Sequence, residues 1–256
     1  MDAYFDLFSG ISGNMVLGAL VDLGLNLEKW KDQLSKLGLE DEYDIETKKT
    51  DKSGIGATYV EVKLTGHHHE HSHEHEHSHG RNLDDIRNII DNSDLNESVK
   101  EKSKEIFLNL AQAEAKIHGS DINEIHFHEV GAVDAIVDIV GSVLGMEMLN
   151  IDKIYASKVH TGTGFVNCEH GKMPVPAPAT MELLAEIPIY SKGIEAEMVT
   201  PTGAAIINTL AEQFGSRDEM QIVKSGYGAG SRDLPIPNLL RVNLIKGFEE
   251  KQKKTQ

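Results

Sequence analysis

The hydrophobic pattern of the first forty residues predicts a strand followed by two helices. Residues 3–8 are apolar on both faces apart from Asp6, which is typical of a short central strand covered on both sides. A turn of small residues follows at 9–13. Apolar positions then recur with helical spacing until Gly24, a residue type that commonly ends a helix. A second helix is predicted near 27–37.

The middle of the chain alternates between strand and helix patterns. Residues 58–64 alternate apolar and polar side chains, which predicts a half-buried strand. Helices are predicted near 82–90 and 96–117, the longer one with its apolar residues on one face. Residues 134–149 are apolar nearly all round, which predicts a buried helix.

The last hundred residues return to short strands and helices. Strands are predicted at 153–157, 160–166, 221–227 and 239–245, and helices at 178–185 and from 200 to about 214. The whole pattern predicts an α/β fold, with mixed α+β also possible, in which helices flank a central mixed sheet. We expect a single domain over residues 1–248 and a frayed polar tail at 249–256.

A polar run, HHHEHSHEHEHSHG at residues 67–80, interrupts this pattern and is called the His-rich run below. It contains no apolar residue, so it cannot build a core, and a disordered loop is predicted. Neutral imidazole is a good ligand for Ni, Zn and Cu, which predicts a metal-handling role. The alternative is a solvated loop with incidental metal affinity. The candidate metal ligands are His67, His68, His69, His71, His73, His75, His77 and His79.

Composition narrows the class of protein. The formal net charge of −16 argues against nucleic-acid binding, which needs clustered basic residues, and favours the attraction of cations. Cys168 is the only cysteine, so no intrachain disulfide can form, and a cytoplasmic location is expected. The chain shows no signal-peptide pattern and no apolar segment long enough to span a membrane.

The motif HFHE at residues 126–129 is a candidate metal site. If this segment is extended, His126 and His128 point to the same side, and Glu129 adds a carboxylate. Two histidines and a carboxylate suit a divalent metal. The same histidines could instead hydrogen-bond to the backbone, and the spacing alone does not decide between these roles.

Two aspartates strengthen this candidate. Asp134 and Asp138 are four residues apart on the predicted buried helix and therefore share a face. Burying these carboxylates without a partner costs several kcal/mol, so a metal ion, a basic side chain or a protonated histidine must balance their charge. Alternatively, the two aspartates lie on a narrow solvent-facing stripe of the helix, or Asp134 caps the helix and Asp138 forms a structural ion pair. Gly141 and Gly145 continue the stripe and would permit close approach of a ligand or a backbone.

The segment FDLFSGISGN combines a strand end, a small-residue turn and a helix start. Such a turn can aim backbone N–H groups at an anion, and Asp6 at the strand end is a candidate metal or substrate contact. An ordinary strand–helix turn is the alternative. The candidate anion-binding residues are Ser9, Gly10, Ser12 and Gly13.

Two further motifs could contact an anion. In TPTG, Thr200 can cap a helix whose first turn holds Thr202 and Gly203, and the same geometry can bind phosphate. In GYGAGSRD, Arg232 could clamp a phosphate or carboxylate, or lie in a surface ion pair. His160 and His170 could also be ligands, although a lone histidine usually is not. No serine-hydrolase elbow or HExxH motif is present.

Six blocks together resemble a known family. FDLFSGISGNM, the His-rich run, HFHEVGAVDAIVDIVG, GTGFV with HGKMPVPAPAT, EMVTPTGAA, and GYGAGSRD with PNLLR occur in the order of the nickel-insertion proteins of nickel-pincer cofactor biosynthesis, the LarC family. The resemblance covers nearly the whole chain. It implies a nickel chelatase that inserts Ni(II) into pyridinium-3,5-bisthiocarboxylic acid mononucleotide, consuming CTP with Mg or Mn.

The resemblance also implies partners. Family proteins usually carry a C-terminal domain associated with CTP binding and oligomerisation. This chain resembles the N-terminal part alone, so we expect that domain as a separate partner. A lactate racemase-type apoenzyme would receive the cofactor, and a homo-oligomer is expected. Asn14 stands where the family often has Asp, so a metal site there is weakened or uses the amide oxygen.

These observations predict that the His-rich run collects nickel and passes it to a pocket. The pocket would be lined by Asp6, His126, His128, Glu129, Asp134 and Asp138. The phosphate of the mononucleotide would lie at one of the two helix starts, and the substrate's sulfur atoms would supply the soft ligands. A non-enzymatic nickel or zinc store or metallochaperone, and a metal-dependent phosphoesterase, are the alternative functions.

Overall fold

The computed structural model describes residues 1–65, 81–125, 127, 133–168, 171–216 and 219–246. The His-rich run and the predicted tail at 249–256 lie outside these ranges.

Strands and helices alternate along the described chain. The strands are β1 (Asp2–Asp6), β2 (Tyr43–Lys52), β3 (Ile55–Leu64), β4 (Lys153–Ala156), β5 (Val159–His160), β6 (Phe165–Cys168), β7 (Gly171–Pro174), β8 (Ile189–Tyr190), β9 (Ala211–Phe214), β10 (Ile222–Ala229) and β11 (Leu239–Ile245). The α-helices are α1 (Gly13–Asp22), α2 (Leu27–Leu34), α3 (Leu83–Asn92), α4 (Glu97–His118), α5 (Val133–Met148), α6 (Pro178–Leu183) and α7 (Pro201–Leu210).

Seven strands form one mixed sheet in the order β2-β3-β10-β11-β1-β4-β9. The pairs β1–β4, β4–β9 and β3–β10 are parallel, and the pairs β1–β11, β10–β11 and β2–β3 are antiparallel. Helix α1 packs against β3, β10 and β11, while α5 packs against α1, α4 and α7. The predicted α/β class, with helices packed on a central mixed sheet, is confirmed.

Helix α5 is the buried helix that its apolar sequence predicts. Its glycine stripe is filled by protein and not by a ligand. The Trp30 indole lies against Gly141, where an added Cβ would come within 2.7 Å of Cζ2, and Trp30 Nε1 donates to the Gly141 carbonyl at 2.9 Å. Leu20 and Leu25 cover Gly145 in the same way. The stripe therefore permits close packing of α1 and α2 on α5.

Strand β2 has no counterpart among the predicted elements. Its apolar alternation stops after Tyr43 and Ile45, and the remaining residues are charged or polar and mostly exposed. Its register with β3 nevertheless runs without a break from Tyr43 opposite Leu64 to Lys52 opposite Ile55. The strand is thus defined by its partner, since a two-stranded ribbon at a sheet edge needs no hydrophobic period of its own.

Two predicted elements are wrong in extent. The helix expected to run to about residue 214 ends at Leu210, and residues 211–214 become β9, which pairs with β4. The strand predicted at 160–166 is divided between β5 and β6. The intervening Gly162 has a φ of 76°, a conformation that favours glycine, and its Cα lies against the Ala196 carbonyl.

Among the described helices, none combines the length and the apolar character that crossing a bilayer requires.

Candidate functional site

The two predicted anion-binding motifs lie side by side, although almost two hundred residues separate them. Ile11 donates its N–H to the Met198 carbonyl at 2.9 Å, and Thr200 donates its N–H to the Ile11 carbonyl at 3.1 Å. These bonds form a short parallel bridge between Ile11 and Val199. The starts of α1 and α7 are therefore held together by the backbone.

This contact requires glycine at two positions. Gly10 has a φ of 79°, and a Cβ there would overlap the Met198 carbonyl oxygen. A Cβ at Gly203 would overlap the Ile11 carbonyl. Gly10 and Gly203 thus permit the close approach of the two backbones. Ser9, which precedes Gly10, is fully buried, and its hydroxyl has no hydrogen-bond partner among the described residues.

A small cavity of about 100 Å³ opens at the joined helix starts and is called the helix-start cavity. The Ser12 hydroxyl donates to Asn14 Oδ1 at 2.6 Å, and Thr200 caps α7 by accepting the Gly203 N–H at 3.2 Å. Thr202 lies in the first turn of α7 and is half-buried. The cavity is lined by Ser12, Asn14, Met15, Glu197, Met198, Thr200, Ser231, Arg232 and Asn238.

Arg232 reaches this cavity but is already paired. Its guanidinium donates to the Glu197 carbonyl at 2.8 Å and to Glu197 Oε2 at 3.1 Å. Of the two roles that the sequence left open, the structure shows the ion pair. A phosphate could be bound by Arg232 only if this contact were shared or replaced.

A second cavity of about 200 Å³ adjoins the first and is called the aspartate cavity. Asp134 and Asp138 of α5 lie on one side of it, and strand β3 lies on the other. It is lined by Asn14, Tyr59, Val60, Glu61, Val62, Asp134, Asp138 and Ser231. Asn14 and Ser231 line both cavities, so the two form adjoining parts of one site.

The two aspartates share a face, as their spacing predicts, and they are not neutralised by the described protein. Oδ1 of Asp134 and Oδ1 of Asp138 are both buried and have no hydrogen-bond partner among the described residues. Burial, and next the charge of Asp134, raises the pKa of Asp138 well above its ordinary value. Gly13 packs directly against this carboxylate, where a Cβ would overlap Oδ2.

The structure narrows the alternatives for these aspartates. Helix α5 begins at Val133, so Asp134 lies in its first turn and does not cap it. No basic side chain in the described part of the chain forms an ion pair with either aspartate. A metal ion, a histidine or a basic side chain from outside the described residues would each be compatible with this arrangement.

The neighbouring histidine motif is only partly described, because His126, His128 and Glu129 lie outside the described residues, as does His170. Phe127, between the two histidines, is buried and stacks edge-on against Phe107 at a centroid distance of 6.4 Å. Its N–H donates to the Arg81 carbonyl at 3.3 Å. The motif is thereby attached to the residue that follows the His-rich run.

Within the described ranges, no group of three or more histidine, cysteine or acidic side chains is placed to hold a metal. The two aspartates and the Asn14 amide are oxygen donors for an incomplete site. Any further ligands must come from elsewhere, and oxygen donors alone bind nickel less selectively than nitrogen or sulfur donors do.

Asp6 is not brought to either cavity. It pairs in register with Arg241, which pairs in turn with Tyr227, so these side chains share one face of the sheet. The neighbouring Gly226 and Gly228 direct their Cβ positions at α1, which places Asp6 on the opposite face. Arg241 Nε donates to Asp6 Oδ2 at 3.2 Å, and its Nη2 donates to the same oxygen. Asp6 is an ion-pair residue in this structure.

His160 is a buried structural histidine. Its Nε2 accepts the Lys192 N–H at 3.1 Å, its Nδ1 lies 2.7 Å from the Met198 sulfur, and its ring packs edge-on against Tyr190. Burial, and next the charge of Lys192, lowers the pKa of His160. These contacts support Met198 behind the helix-start cavity, and both ring nitrogens are occupied by protein.

Several lining residues were not predicted from the sequence, namely Tyr59, Glu61, Glu197 and Ser231. The first two lie on a strand whose pattern predicts only half-burial. Ser231 carries no sequence signal beyond its position beside Arg232. Their placement depends on which strand lies beside α5, and that is a tertiary property.

The fold and the site together define a class: an α/β protein in which a cavity lined by two buried carboxylates adjoins a pair of joined helix starts. Comparison with known proteins identifies the family. The family described as "Nickel insertion protein" matches residues 3–256, and the chain belongs to that family.

Relatives carry a more detailed name. Three are called "Pyridinium-3,5-bisthiocarboxylic acid mononucleotide nickel insertion protein". The protein of Desulfitobacterium hafniense (strain DSM 10664 / DCB-2) is 53% identical over 94% of this chain and 58% of its own length. That of Clostridium kluyveri is 49% identical over 99% of this chain and 63% of its own. That of Acetivibrio thermocellus is 46% identical over 98% and 61%. The chain thus spans about three-fifths of these relatives' length. No solved structure matches it.

Proposed function

We propose that this chain inserts Ni(II) into pyridinium-3,5-bisthiocarboxylic acid mononucleotide, acting as the nickel-handling part of a nickel chelatase. Family membership and the names of its relatives support this. The observation that carries the proposal is the pair of buried aspartate oxygens in the aspartate cavity that have no hydrogen-bond partner among the described residues. Carboxylates without a protein partner are costly, and a divalent cation offsets that cost.

In this proposal, Asp134 and Asp138 hold nickel loosely together with the amide oxygen of Asn14. Insertion requires that the metal leave the protein, so weak and exchangeable binding serves better than a closed cage. The substrate's two sulfur-bearing groups bind nickel more strongly than oxygen donors do and would draw the ion off the aspartates. His126, His128 and Glu129 remain predicted additional ligands.

The substrate's phosphate would lie in the helix-start cavity. Two helix N-termini converge there, and N–H groups at such ends favour an anion. The two cavities together hold about 300 Å³, near the lower limit of small-molecule sites. Because they share Asn14, a mononucleotide spanning both would bring its pyridinium ring to the metal.

Other features of the proposal come from the resemblance to the family. CTP with Mg or Mn would be consumed together with the part of the relatives that this chain does not cover. The product would pass to a lactate racemase-type apoenzyme, and a cytoplasmic homo-oligomer is expected. The His-rich run would collect nickel before it reaches the aspartate cavity.

The direct test is to incubate the protein with nickel, CTP, magnesium and the dithiocarboxylate mononucleotide, and to detect the nickelated product by mass. The assay is run with and without the C-terminal portion of a relative. We expect product in the wild-type reaction and none with Asp134→Asn. Nickel binding without mononucleotide binding would favour a metal store, and metal-stimulated hydrolysis of a generic phosphate ester would favour a phosphoesterase.

Deletion of residues 67–79 is expected to lower the number of nickel ions bound per chain while leaving the fold intact. The deleted residues include eight imidazoles and no apolar side chain, so little stability depends on them. Calorimetric titration with Ni(II) measures the stoichiometry, and circular dichroism checks the fold. An unchanged stoichiometry at neutral pH would contradict the role of the run.

A further inference from the structure

Both the backbone and the side chain of Arg232 are held in place at the helix-start cavity. The Arg232 carbonyl accepts hydrogen bonds from Asn238 Nδ2 at 3.0 Å and from Lys52 Nζ at 3.2 Å. The Asn238 carbonyl accepts the Gly230 N–H at 2.9 Å, which closes the loop that carries the arginine. The guanidinium in turn donates to a carbonyl and a carboxylate oxygen of Glu197. Any change in the direction of the Arg232 side chain would break both of these bonds.

Glu197 is fixed by the bridge that joins the two helix starts. The next residue, Met198, accepts the Ile11 N–H at 2.9 Å and donates its own N–H to the Thr161 carbonyl at 3.4 Å. Only 13% of the Glu197 side chain is exposed, compared with 45% of the Arg232 side chain. The carboxylate is therefore the buried member of the ion pair, and the guanidinium is the member that a ligand can reach.

The guanidinium retains hydrogen-bond donors for such a ligand. An arginine side chain carries more N–H groups than the two that bind Glu197. Its remaining N–H groups have no hydrogen-bond partner among the described residues. Among the described residues that line the cavity, Arg232 is the only basic one, and the other polar residues apart from Glu197 are neutral. An anion that enters the cavity would therefore meet the guanidinium as its cationic partner.

We infer that Glu197 is a positioning residue for phosphate recognition, which orients Arg232 so that its unused N–H groups bind the phosphate of the mononucleotide. This inference rests on the proposed function. The guanidinium is then shared between the carboxylate and the phosphate, and is not passed from one to the other. A guanidinium that is already oriented loses little conformational freedom on binding, so the contact strengthens substrate binding. Because the phosphate is not a reacting group, the contact should affect KM and not kcat.

Glu197→Ala and Glu197→Gln separate the position of the carboxylate from its charge. Alanine removes the acceptor for Nη2 and lets the guanidinium turn, so the KM for the mononucleotide in the insertion assay is expected to rise about tenfold with kcat unchanged. Glutamine removes the charge but keeps an oxygen acceptor, so its KM is expected to stay within about threefold of wild type. A lower KM in both variants would mean that the carboxylate competes with the phosphate for Arg232, and would overturn the inference.

Glu195→Ala is the matched control, because Glu195 is an exposed acidic residue on the same segment and does not line the cavity. It should leave both constants unchanged, and thermal unfolding checks that all variants are folded. In an Arg232→Gln background, Glu197→Ala should have no further effect, because no guanidinium is left to orient. The same tenfold effect in that background, or a fall in kcat as large as the rise in KM, would contradict the positioning role.

Calorimetric titration with the mononucleotide in the absence of nickel separates this inference from the proposed function. If the wild-type protein binds the mononucleotide but forms no nickelated product, nickel insertion is wrong, and Glu197→Ala must still weaken mononucleotide binding about tenfold. If the wild-type protein inserts nickel and Glu197→Ala binds the mononucleotide as tightly as wild type, the positioning role alone is wrong. A wild-type protein that does not bind the mononucleotide would overturn both.

Discussion

Asp138→Asn is expected to abolish nickel insertion and, at the same time, to stabilise the metal-free protein. The wild-type carboxylate is buried, faces the charge of Asp134, and has one oxygen that no described residue hydrogen-bonds, so its ionised form is unfavourable in the absence of metal. Asparagine keeps the shape and removes the charge. An unsatisfied buried polar group costs about 1–3 kcal/mol, and we expect a gain in unfolding free energy of that order at pH 7.

The stabilising effect of Asp138→Asn is expected to depend on pH. The folded state raises the pKa of Asp138 above its ordinary 3.8, so it binds the proton more tightly than the unfolded chain does. The associated stability is complete below about pH 4 and is lost as the pH rises through the folded pKa. The advantage of Asp138→Asn should therefore grow with pH and then level off, as measured by thermal unfolding without metal.

Asp22→Asn is the matched control, since it removes the same charge from a well-satisfied aspartate. Burial raises the pKa of Asp22, but hydrogen bonds from Lys49, the Tyr227 N–H and Thr58 outweigh it, and the net shift is downward. Its stability contribution is present above the ordinary pKa and is lost on acidification. Asp22→Asn should destabilise the protein at pH 7. A gain in stability in both variants would indicate that each substitution merely reduces the general charge repulsion of the protein.

Gly13→Ala is expected to damage both the fold and the metal site. The first turn of a helix normally tolerates alanine better than glycine. Here, the added Cβ would overlap the Asp138 carboxylate and would lie only 2.6 Å from the Asp138 Cβ, which the helix backbone fixes in place. We expect a loss of about 1–3 kcal/mol of stability and at least a tenfold weaker binding of nickel at the cavity.

Gly56→Ala provides the control for this prediction, because no atom lies within 4 Å of a Cβ built there. It should leave the melting temperature and nickel titration close to wild type. Nickel affinity is measured in the chain lacking residues 67–79, so that only the cavity contributes. Wild-type affinity in Gly13→Ala would remove Asp138 from the metal site.

Elements with a strong hydrophobic period were predicted closely from the sequence. Helix α4 was expected at 96–117 and runs from Glu97 to His118, and α5 was expected at 134–149 and runs from Val133 to Met148. Their apolar faces repeat over four or more turns, which local sequence alone specifies. Strands β2 and β9 were missed because each is defined by pairing with a distant strand.

In the candidate site too, local features were predicted from the sequence and long-range contacts were not. The shared face of Asp134 and Asp138 follows from their spacing on a helix, and the capping role of Thr200 follows from its position before Pro201. The pairing of Asp6 with Arg241 depends on strands β1 and β11, which lie at opposite ends of the chain. Sequence spacing carries no information about such a contact.

The sequence by itself determined the buried helix, the paired aspartates, the His-rich run and the family. Each of these is recognised from short stretches of consecutive residues. Only the tertiary structure decided that Ile11 bonds to Met198, that Gly13 packs against Asp138, and that Glu42 bonds to Arg81. The physical reason is the separation along the chain of the residues that interact. Helical period and capping act over four residues, whereas these contacts join distant segments that only the packing of the whole chain brings together.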